Sequence, residues 1–202
     1  ATNGTLLTEA NVGRLLEMGV KIIEISLDSV DPEKHNTFRG SGMWEKTVQG
    51  IKNAVAQSTG KNYRVSIAST ITHMNFGELE ELIQFAKDLG VHTFNAFNFI
   101  PTGRGKNILK DDLTPQEREE MLEILTRHMN EDKITILSTA PQMGRVCLEA
   151  GYGEMARIAV GHGGSARGKD VRLYTDYIGG CGTGRCYCAI QPNGLVTPCV
   201  FM

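Results

Sequence analysis

The feature that most constrains the fold is an alternation of helical apolar stripes with short β-branched runs over residues 1–130. Residues 21–27 (KIIEISL) form the first such run, residues 65–71 alternate apolar and polar side chains, and residues 93–100 (TFNAFNFI) form the third. Runs of this kind are typical of β-strands. Because a helical pattern separates each run from the next, the chain is predicted to be an α/β protein. Its parallel sheet, with crossover helices, is either curved into a barrel or left open.

Further signals predict where the helices begin. Thr8 can cap a first helix, and apolar side chains recur at helical spacing over residues 44–55. Residues 75–78 (NFGE) and 114–117 (TPQE) have the spacing of capping boxes. We therefore expect two more helices to begin at these positions.

The pattern weakens after Ile134, and the following stretch is rich in glycine. The predicted organisation is a main α/β domain over residues 1–137, a linker or bridging region over 138–180, and the start of a small cysteine-rich domain over 181–202. The chain does not begin with Met, and it ends on an apolar, cysteine-bearing segment. Because the ends of complete domains tend to be exposed, we expect a longer protein at both ends.

Composition narrows the class of protein. The chain is 41% hydrophobic and 22% charged, as is ordinary for a soluble globular protein. Its net charge of −2 favours neither nucleic acid nor an anionic membrane as a partner. No apolar run reaches the roughly 18 residues of a membrane span. Four of the five cysteines fall within residues 181–202, a clustering that indicates metal binding and a reducing, cytoplasmic compartment.

Polar side chains lie near the end of each predicted strand. They are Ser26, Asp28 and Ser29 on the first, Ser69, Thr70 and Thr72 on the second, and Asn95, Asn98 and Thr102 on the third. Since ligands of parallel sheets gather at the carboxyl ends of the strands, these residues are candidates for binding a polar small molecule. The alternative is that they terminate strands and cap helices.

Arg39 is a second kind of candidate, because a guanidinium can hold a carboxylate through two parallel hydrogen bonds. The alternative is a surface salt bridge with Asp31 or Glu33. His35 and His73 are interpreted as solvated loop histidines.

The cysteine cluster consists of Cys181, Cys186, Cys188 and Cys199. The turn sequence at residues 192–194 (PNG) predicts a hairpin that returns Cys199 toward Cys186 and Cys188. Thiolates on such a loop suit an iron–sulfur cluster or zinc, and the alternative is that they are buried free cysteines. Cys147 stands apart and is interpreted as a core residue.

These segments together resemble the middle of radical S-adenosylmethionine (SAM) enzymes. The resemblance rests on the ordered succession of residues 2–7 (TNGTLL), 25–29 (ISLDS), 32–35 (PEKH), 39–40 (RG), 75–90 and 101–105 (PTGRG). It implies a partial (βα)₆ barrel and a reaction in which a [4Fe–4S] cluster cleaves SAM to a 5′-deoxyadenosyl radical. It also implies that Ser26 and Arg39 hold the SAM aminocarboxylate, while Ser69, Thr70 and Ile100 contact its ribose and adenine.

The cysteine-rich end resembles the opening of a SPASM or twitch domain. Cys181, Gly194 and Cys199 fit the spacing of that domain, which implies an auxiliary [4Fe–4S] cluster. Cys188 is favoured over Cys186 as a further ligand because it begins a predicted hairpin strand. The Cys-x₃-Cys-x₂-Cys loop that binds the SAM-cleaving cluster in the family is absent from these 202 residues, which alone are expected to be inactive.

Two segments bear on the substrate. Residues 97–105 (FNFIPTGRG) and 181–185 (CGTGR) resemble the haem-synthesis branch of the family, which implies a sirohaem-derived tetrapyrrole substrate and a ferredoxin or flavodoxin as electron donor. A peptide-modifying maturase is the alternative within the family, and the molybdenum-cofactor cyclase fits less well. A non-catalytic zinc or iron–sulfur module is the alternative from another class. Arg104, Arg145 and Arg185 are candidates to meet tetrapyrrole carboxylates or are surface charges.

Overall fold

The fold is built on four parallel strands that lie side by side in chain order. A computed structural model describes residues 1–130, 133–151 and 188–199. Within these ranges the main sheet consists of β1 (Ile22–Ser26), β2 (Arg64–Ile71), β3 (Thr93–Asn98) and β4 (Thr135–Ser138). Each strand pairs in parallel with the next, so the predicted α/β class with a parallel sheet is confirmed.

In the described part of the chain, one α-helix precedes β1, one follows β4 and the others connect successive strands of the sheet, as the alternating pattern predicts. These helices are α1 (Glu9–Glu17), α2 (Pro32–Arg39), α3 (Met43–Ala56), α4 (Leu79–Asp88), α5 (Pro115–Arg127) and α6 (Met143–Glu149). Segments of 3-10 helix span Phe76–Glu78, Gly103–Asp111 and His128–Asn130. Among the residues that the structure describes, no helix has the length and apolar character needed to cross a membrane.

The two faces of the sheet differ in chemistry. Ile25, Ile67 and Phe94 are fully buried in an apolar cluster that includes side chains of α3, α4 and α5. Because side chains alternate along a strand, the intervening residues lie on the opposite face. These are mainly polar: Glu24, Ser26, Ser66, Thr70, Thr93, Asn95 and Thr135. A parallel strand covered by helices on both faces is usually apolar throughout, so the polar face is the one suited to a ligand.

Two of the predicted helix starts are confirmed. The Thr8 hydroxyl accepts a hydrogen bond from the backbone N–H of Asn11 at 3.2 Å. At α5, Thr114 Oγ1 accepts from the Glu117 N–H at 3.2 Å, and Glu117 Oε2 accepts from the Thr114 N–H at 2.8 Å. This reciprocal pair is the capping box that the spacing predicted.

The capping box predicted at residues 75–78 is wrong. A 3-10 turn occupies Phe76–Glu78, α4 begins only at Leu79, and no side chain caps it. The Asn75 side chain turns back toward the sheet instead, where its Oδ1 accepts from the Thr72 N–H at 2.8 Å. A local spacing rule fails here because tertiary partners compete for the same amide.

The segment that contains His35, interpreted from the sequence as a loop, is a helix. α2 begins at Pro32, and Asp31 caps it by accepting from the Glu33 N–H at 2.8 Å. Proline at a first helical position is a known start signal, but the eight-residue segment has too few apolar residues to show a stripe. His35 is consequently 1% exposed, and its interpretation as a solvated loop histidine is wrong.

The β/α alternation continues past residue 137, the end predicted for the main domain. β4 ends at Ser138, and α6 follows with Met143, Val146 and Cys147 buried in the core. Cys147 is therefore confirmed as a core residue, and burial raises the pKa of its thiol. Residues 152–187 lie outside the described residues. They include most of the predicted linker (138–180) and the start of the predicted cysteine-rich domain, so the domain boundaries stay a prediction.

The segment before α1 is anchored beside β1 by close backbone contact. The Thr2 N–H donates to the Glu24 carbonyl, and the Ser26 N–H donates to the Thr2 carbonyl, both at 2.9 Å. Gly4 has a φ of +79°, and a Cβ added at Gly50 of α3 would lie 2.2 Å from the Gly4 carbonyl oxygen. Glycine at position 50 thus allows α3 to approach this segment closely.

Candidate cofactor-binding site

An ion pair between Asp28 and Arg39 lies where β1 ends. Arg39 Nε donates to Asp28 Oδ2 at 2.5 Å, and one Nη donates to Oδ1 at 3.2 Å. The Asp28 side chain is 1% exposed, whereas that of Arg39 is 31% exposed. Arg39 therefore holds an internal carboxylate through two bonds, and its partner is neither Asp31 nor Glu33, the two partners that the salt-bridge alternative named. Its role in binding a ligand carboxylate stays a prediction.

Three further residues fix Asp28 in place. The Thr70 N–H donates to Asp28 Oδ1 at 2.9 Å, which ties β1 to the end of β2. Asn75 Nδ2 donates to the carbonyls of Asp28 at 2.6 Å and Thr70 at 2.9 Å. The Asp28 N–H donates to His35 Nδ1 at 3.3 Å. Burial lowers the pKa of His35, with the nearby Asp28 charge acting in the opposite direction, and a neutral ring suits the accepting role of Nδ1.

The other candidates from the first two strands divide between the two faces of the sheet. Ser26 and Thr70 lie partly exposed on the polar face, and Ser26 pairs in register with Ala68. Ser69 is fully buried, and its hydroxyl donates to the Leu27 carbonyl. Ser26, Thr70 and Arg39 thus share one end of the sheet, while Ser69 lies on the helix-covered side.

The end of β3 is occupied by a second polar network. The Arg118 guanidinium donates to Asn98 Oδ1 and, at 2.8 Å, to Asp112 Oδ1. Ile100 follows the strand with 41% of its side chain exposed. No hydrogen bond in the described part of the chain joins Ile100 to the Asp28 network. An exposed apolar side chain is suited to packing against a flat aromatic base.

A polar contact crosses the middle of the polar face. Asn95 Nδ2 of β3 donates to Glu24 Oε2 of β1 at 3.2 Å, over the intervening strand β2. Asn95 is 1% exposed, and its Oδ1 has no hydrogen-bond partner among the residues that the structure describes. A buried amide on a central strand lowers stability unless its groups are satisfied, so this face is not optimised for packing alone.

The arginine candidates for binding substrate carboxylates fare differently. Arg145 donates to Glu119 at 2.5 Å and to Glu149 at 2.6 Å, and all three side chains are exposed. This arrangement agrees with the reading of Arg145 as a surface charge. The Arg104 side chain and the whole of Arg185 lie outside the described residues.

His73 is also a surface group, as expected, and lies in the loop after β2. Its Nε2 is 2.6 Å from Glu117 Oε2, and this contact raises the pKa of His73. The pKa of Glu117 falls to about 2, mainly because Thr114 donates to its carboxylate and then because of His73.

The predicted cysteine hairpin is present in the described residues 188–199. Strands β5 (Ala189–Ile190) and β6 (Val196–Thr197) are antiparallel, and Gly194 has a φ of +84° in the turn between them. Ala189 pairs with Thr197, so Cys188 and Cys199 both lie at the open end of the hairpin. Both cysteines are free, Cys188 exposed and Cys199 partly so, which leaves their thiols accessible to a metal.

The complete ligand set cannot be built from these two cysteines. Cys181 and Cys186 lie outside the described residues. Within the described ranges, no group of three or more Cys, His, Asp or Glu side chains is arranged to hold a metal ion. A hairpin that carries two free thiols at one end supplies part of a thiolate site, and the choice between Cys186 and Cys188 as ligands stays a prediction.

Asn75 is the site residue that sequence reasoning missed. Its amide joins the ends of β1 and β2, whereas the spacing to Glu78 suggested a helix cap. The sequence carries no clear local signal for this role, because an asparagine turn bonds the backbone two residues on, whereas Asn75 Oδ1 accepts from Thr72, three residues back.

Comparison with known proteins gives this geometry a context. Residues 1–89 match the radical SAM superfamily. An AdoMet-dependent heme synthase of Methanosarcina barkeri is 32% identical over 100% of this chain and 54% of the relative. One from Oleidesulfovibrio alaskensis is 26% identical over 99% of this chain and 49% of the relative. The mycofactocin maturase of Mycobacterium tuberculosis is 25% identical over 100% of this chain and 44% of the relative.

These matches define the class that the chain is similar to: residues 1–89 match the radical SAM superfamily. Its similarity to AdoMet-dependent heme synthases extends along its whole length. The match to this superfamily implies SAM and a [4Fe–4S] cluster as cofactors, and the maturase relative accords with auxiliary clusters. The chain spans about half the length of the curated relatives it matches.

Proposed function

We propose that the complete protein is a radical SAM enzyme that modifies a tetrapyrrole, most specifically one derived from sirohaem, in haem or haem d₁ synthesis. The observation that carries this proposal is the match to AdoMet-dependent heme synthases over 99–100% of the chain. The bidentate Asp28–Arg39 pair at a strand end supports it, because a fixed guanidinium is suited to a carboxylate-bearing cofactor.

In this proposal Ser26 and Arg39 bind the aminocarboxylate of SAM. Arg39 uses Nε and one Nη for Asp28, so the outer edge of its guanidinium keeps donors for a second carboxylate. Ser26 lies on the polar face and supplies a hydroxyl that can donate to the same group. Both residues belong to the same β1–α2 unit, so one local structure holds the charged end of the cofactor.

The nucleoside end of SAM is assigned to Thr70, Ile100 and, with least support, Ser69. Thr70 is half-buried on the polar face, and the exposed Ile100 side chain offers an apolar surface for adenine. Ser69 already donates its hydroxyl to a backbone carbonyl on the other face. A Ser69 contact with ribose would have to use the acceptor lone pairs of that hydroxyl, and the side chain is fully buried.

When bound, SAM and a reduced [4Fe–4S] cluster supply a radical that removes a hydrogen atom from the substrate. The residues of this chain have the task of orienting the cofactor and excluding water from the polar face of the sheet. No residue is assigned as a substrate acid or base. Cys181, Cys199, Cys188 and Cys186 are proposed ligands of an auxiliary [4Fe–4S] cluster, supported by the two free thiols at one end of the hairpin.

A peptide-modifying maturase is the second candidate function. The observation that favours it is the match to a mycofactocin maturase over 100% of this chain and 44% of the relative, at lower identity than the first heme synthase. Both candidates call for a low-potential donor such as a ferredoxin or flavodoxin and for a cytoplasmic setting.

The test uses the complete protein, reconstituted anaerobically with iron and sulfide and supplied with SAM and dithionite. The expected result is formation of 5′-deoxyadenosine, stimulated by an iron-containing tetrapyrrole whose mass changes in parallel. Stimulation by a peptide substrate in place of the tetrapyrrole would favour the maturase. A protein that takes up zinc, binds no iron and cleaves no SAM would refute both and leave a non-catalytic metal module.

A further inference from the structure

We propose that Asp28 is a positioning residue that presents the outer edge of the Arg39 guanidinium to the carboxylate of the cofactor. This inference rests on the proposed function, in which Arg39 binds SAM. It goes further by assigning a role to a buried carboxylate that does not itself touch the cofactor. Asp28 is charged and almost fully enclosed, a placement that is unusual unless the charge is used.

Arg39 needs such a partner because its side chain is long and lies near the surface. An arginine side chain has many rotamers, and a ligand would otherwise have to overcome the entropy lost when one of them is selected. The two bonds to Asp28 fix both the position and the plane of the guanidinium. Because Asp28 occupies the edge of the guanidinium formed by Nε and one Nη, the remaining N–H donors can bind only a group that approaches from the outer edge.

Asp28 is itself held from three directions, so it forms a rigid reference point. The Thr70 N–H binds its carboxylate from β2, Asn75 binds its carbonyl from the loop before α4, and His35 of α2 accepts from its N–H. Arg39 is the last residue of α2, the helix that also carries His35. The hydrogen bonds around Asp28 therefore position both α2 and the carboxylate that orients Arg39. The direction of the guanidinium is therefore set by contacts to Asp28 from β2, from α2 and from the loop before α4.

Two opposite effects of Asp28 on the cofactor can be separated. Its negative charge opposes a second carboxylate on the same guanidinium, whereas its geometry aligns the donors for that carboxylate. If charge dominates, Asp28→Asn should tighten binding. If alignment dominates, as we propose, Asp28→Asn should weaken binding of the cofactor carboxylate. The asparagine NH2 is a donor where the aspartate had an acceptor, so Arg39 loses its partner and moves out of position.

The experiment compares two ligands that differ only at the end that Arg39 is proposed to bind. S-adenosylhomocysteine carries the aminocarboxylate, whereas 5′-methylthioadenosine has the same nucleoside thioether without it. We would measure Kd for both by calorimetry on the complete, cluster-loaded protein, in wild type and Asp28→Asn. Asp31→Asn is the matched control, because Asp31 lies three residues away, does not contact Arg39, and can still cap α2 as asparagine.

Asp28→Asn is expected to raise the Kd for S-adenosylhomocysteine about 10- to 100-fold, the loss of one or two charge-assisted bonds, and to leave 5′-methylthioadenosine within about twofold. Asp31→Asn should change neither. Unchanged or tighter binding of S-adenosylhomocysteine would overturn the proposal. Equal weakening of both ligands would also overturn it, because a merely structural role would affect the whole site.

A second variant keeps the test decisive if Asp28→Asn fails to fold. Arg39→Lys retains the charge but cannot form the two-bond arrangement with Asp28. It should lose S-adenosylhomocysteine selectively, and wild-type affinity in this variant would overturn the proposal. If the wild-type protein binds neither ligand, the proposed function itself fails, an outcome distinct from the failure of Asp28 alone.

Discussion

Replacing Asn75 should reveal how strongly the ends of β1 and β2 depend on one side chain. Its amide is 1% exposed and makes three hydrogen bonds, to the Thr72 N–H and to the carbonyls of Asp28 and Thr70. In Asn75→Ala all three backbone groups lose their partner at once. A buried group left unsatisfied costs about 1–3 kcal/mol, but relaxation and entering water recover part of this. We expect a loss of about 3–4 kcal/mol in the free energy of unfolding.

Asn75→Asp tests the same geometry through pH. One carboxylate oxygen of Asn75→Asp still accepts from the Thr72 N–H, but the other faces the carbonyl oxygens of Asp28 and Thr70. Because these carbonyls repel a negative charge, the pKa of the introduced carboxyl is raised in the folded state. A raised carboxyl pKa means that stability is fully present below the unfolded pKa and is lost as pH rises through the folded pKa. The deficit relative to wild type should therefore be small near pH 4 and large at pH 7.

Urea unfolding at several pH values measures both variants. Asn11→Ala is the control, since Asn11 Nδ2 donates to a backbone carbonyl at 2.7 Å but is exposed, and its loss should cost less than about 1 kcal/mol. An Asn75→Ala variant no less stable than this control would refute the reasoning. So would an Asn75→Asp variant whose deficit does not change with pH.

Three other outcomes follow from contacts described above. Gly50→Ala should lower the free energy of unfolding by about 1–3 kcal/mol, because the added methyl group overlaps the Gly4 carbonyl oxygen. Urea unfolding measures this loss, and wild-type stability would contradict the close approach of α3 to the Gly4 segment. Cys199→Ala should reduce bound iron per chain after anaerobic reconstitution, whereas the buried Cys147→Ala should not; equal iron in both would exclude a ligand role for the hairpin. In an NMR titration the pKa of His73 should lie above 6.5, and the Glu117→Gln variant should lose this increase. The His73–Glu117 ion pair is therefore present at acidic pH and weakens as the pH rises through the pKa of His73.

Local periodicity was enough to predict the frame of this fold. Strands β1 to β3 and the helix starts at Thr8 and Thr114 depend on neighbours a few residues away, which the sequence displays directly. β4 is only four residues long, and α2 has almost no apolar stripe, so neither produces a clear periodic signal. The missed elements are thus the short ones whose stability comes from packing.

The candidate site was predictable in its parts and not in its connections. The position of polar residues at strand ends follows from the parallel sheet, and Arg39 was a candidate because guanidinium groups bind carboxylates. Its actual partner lies 11 residues away, and the bond between Thr70 and Asp28 spans 42 residues. No pattern in one sequence specifies which of several nearby carboxylates is buried beneath the arginine, because that depends on how β2 packs beside β1.

The connections also explain why stability and cofactor selectivity should be separable here. Asn75 contacts backbone groups alone, so its loss weakens the strand ends together and should reduce affinity for every part of a bound nucleoside. Asp28 contacts both the backbone and Arg39, so an isosteric change can disturb the arginine while the Thr70 N–H keeps an acceptor. Two ligands that differ in one carboxylate therefore distinguish Asn75, which stabilises the whole site, from Asp28, which orients the guanidinium of Arg39.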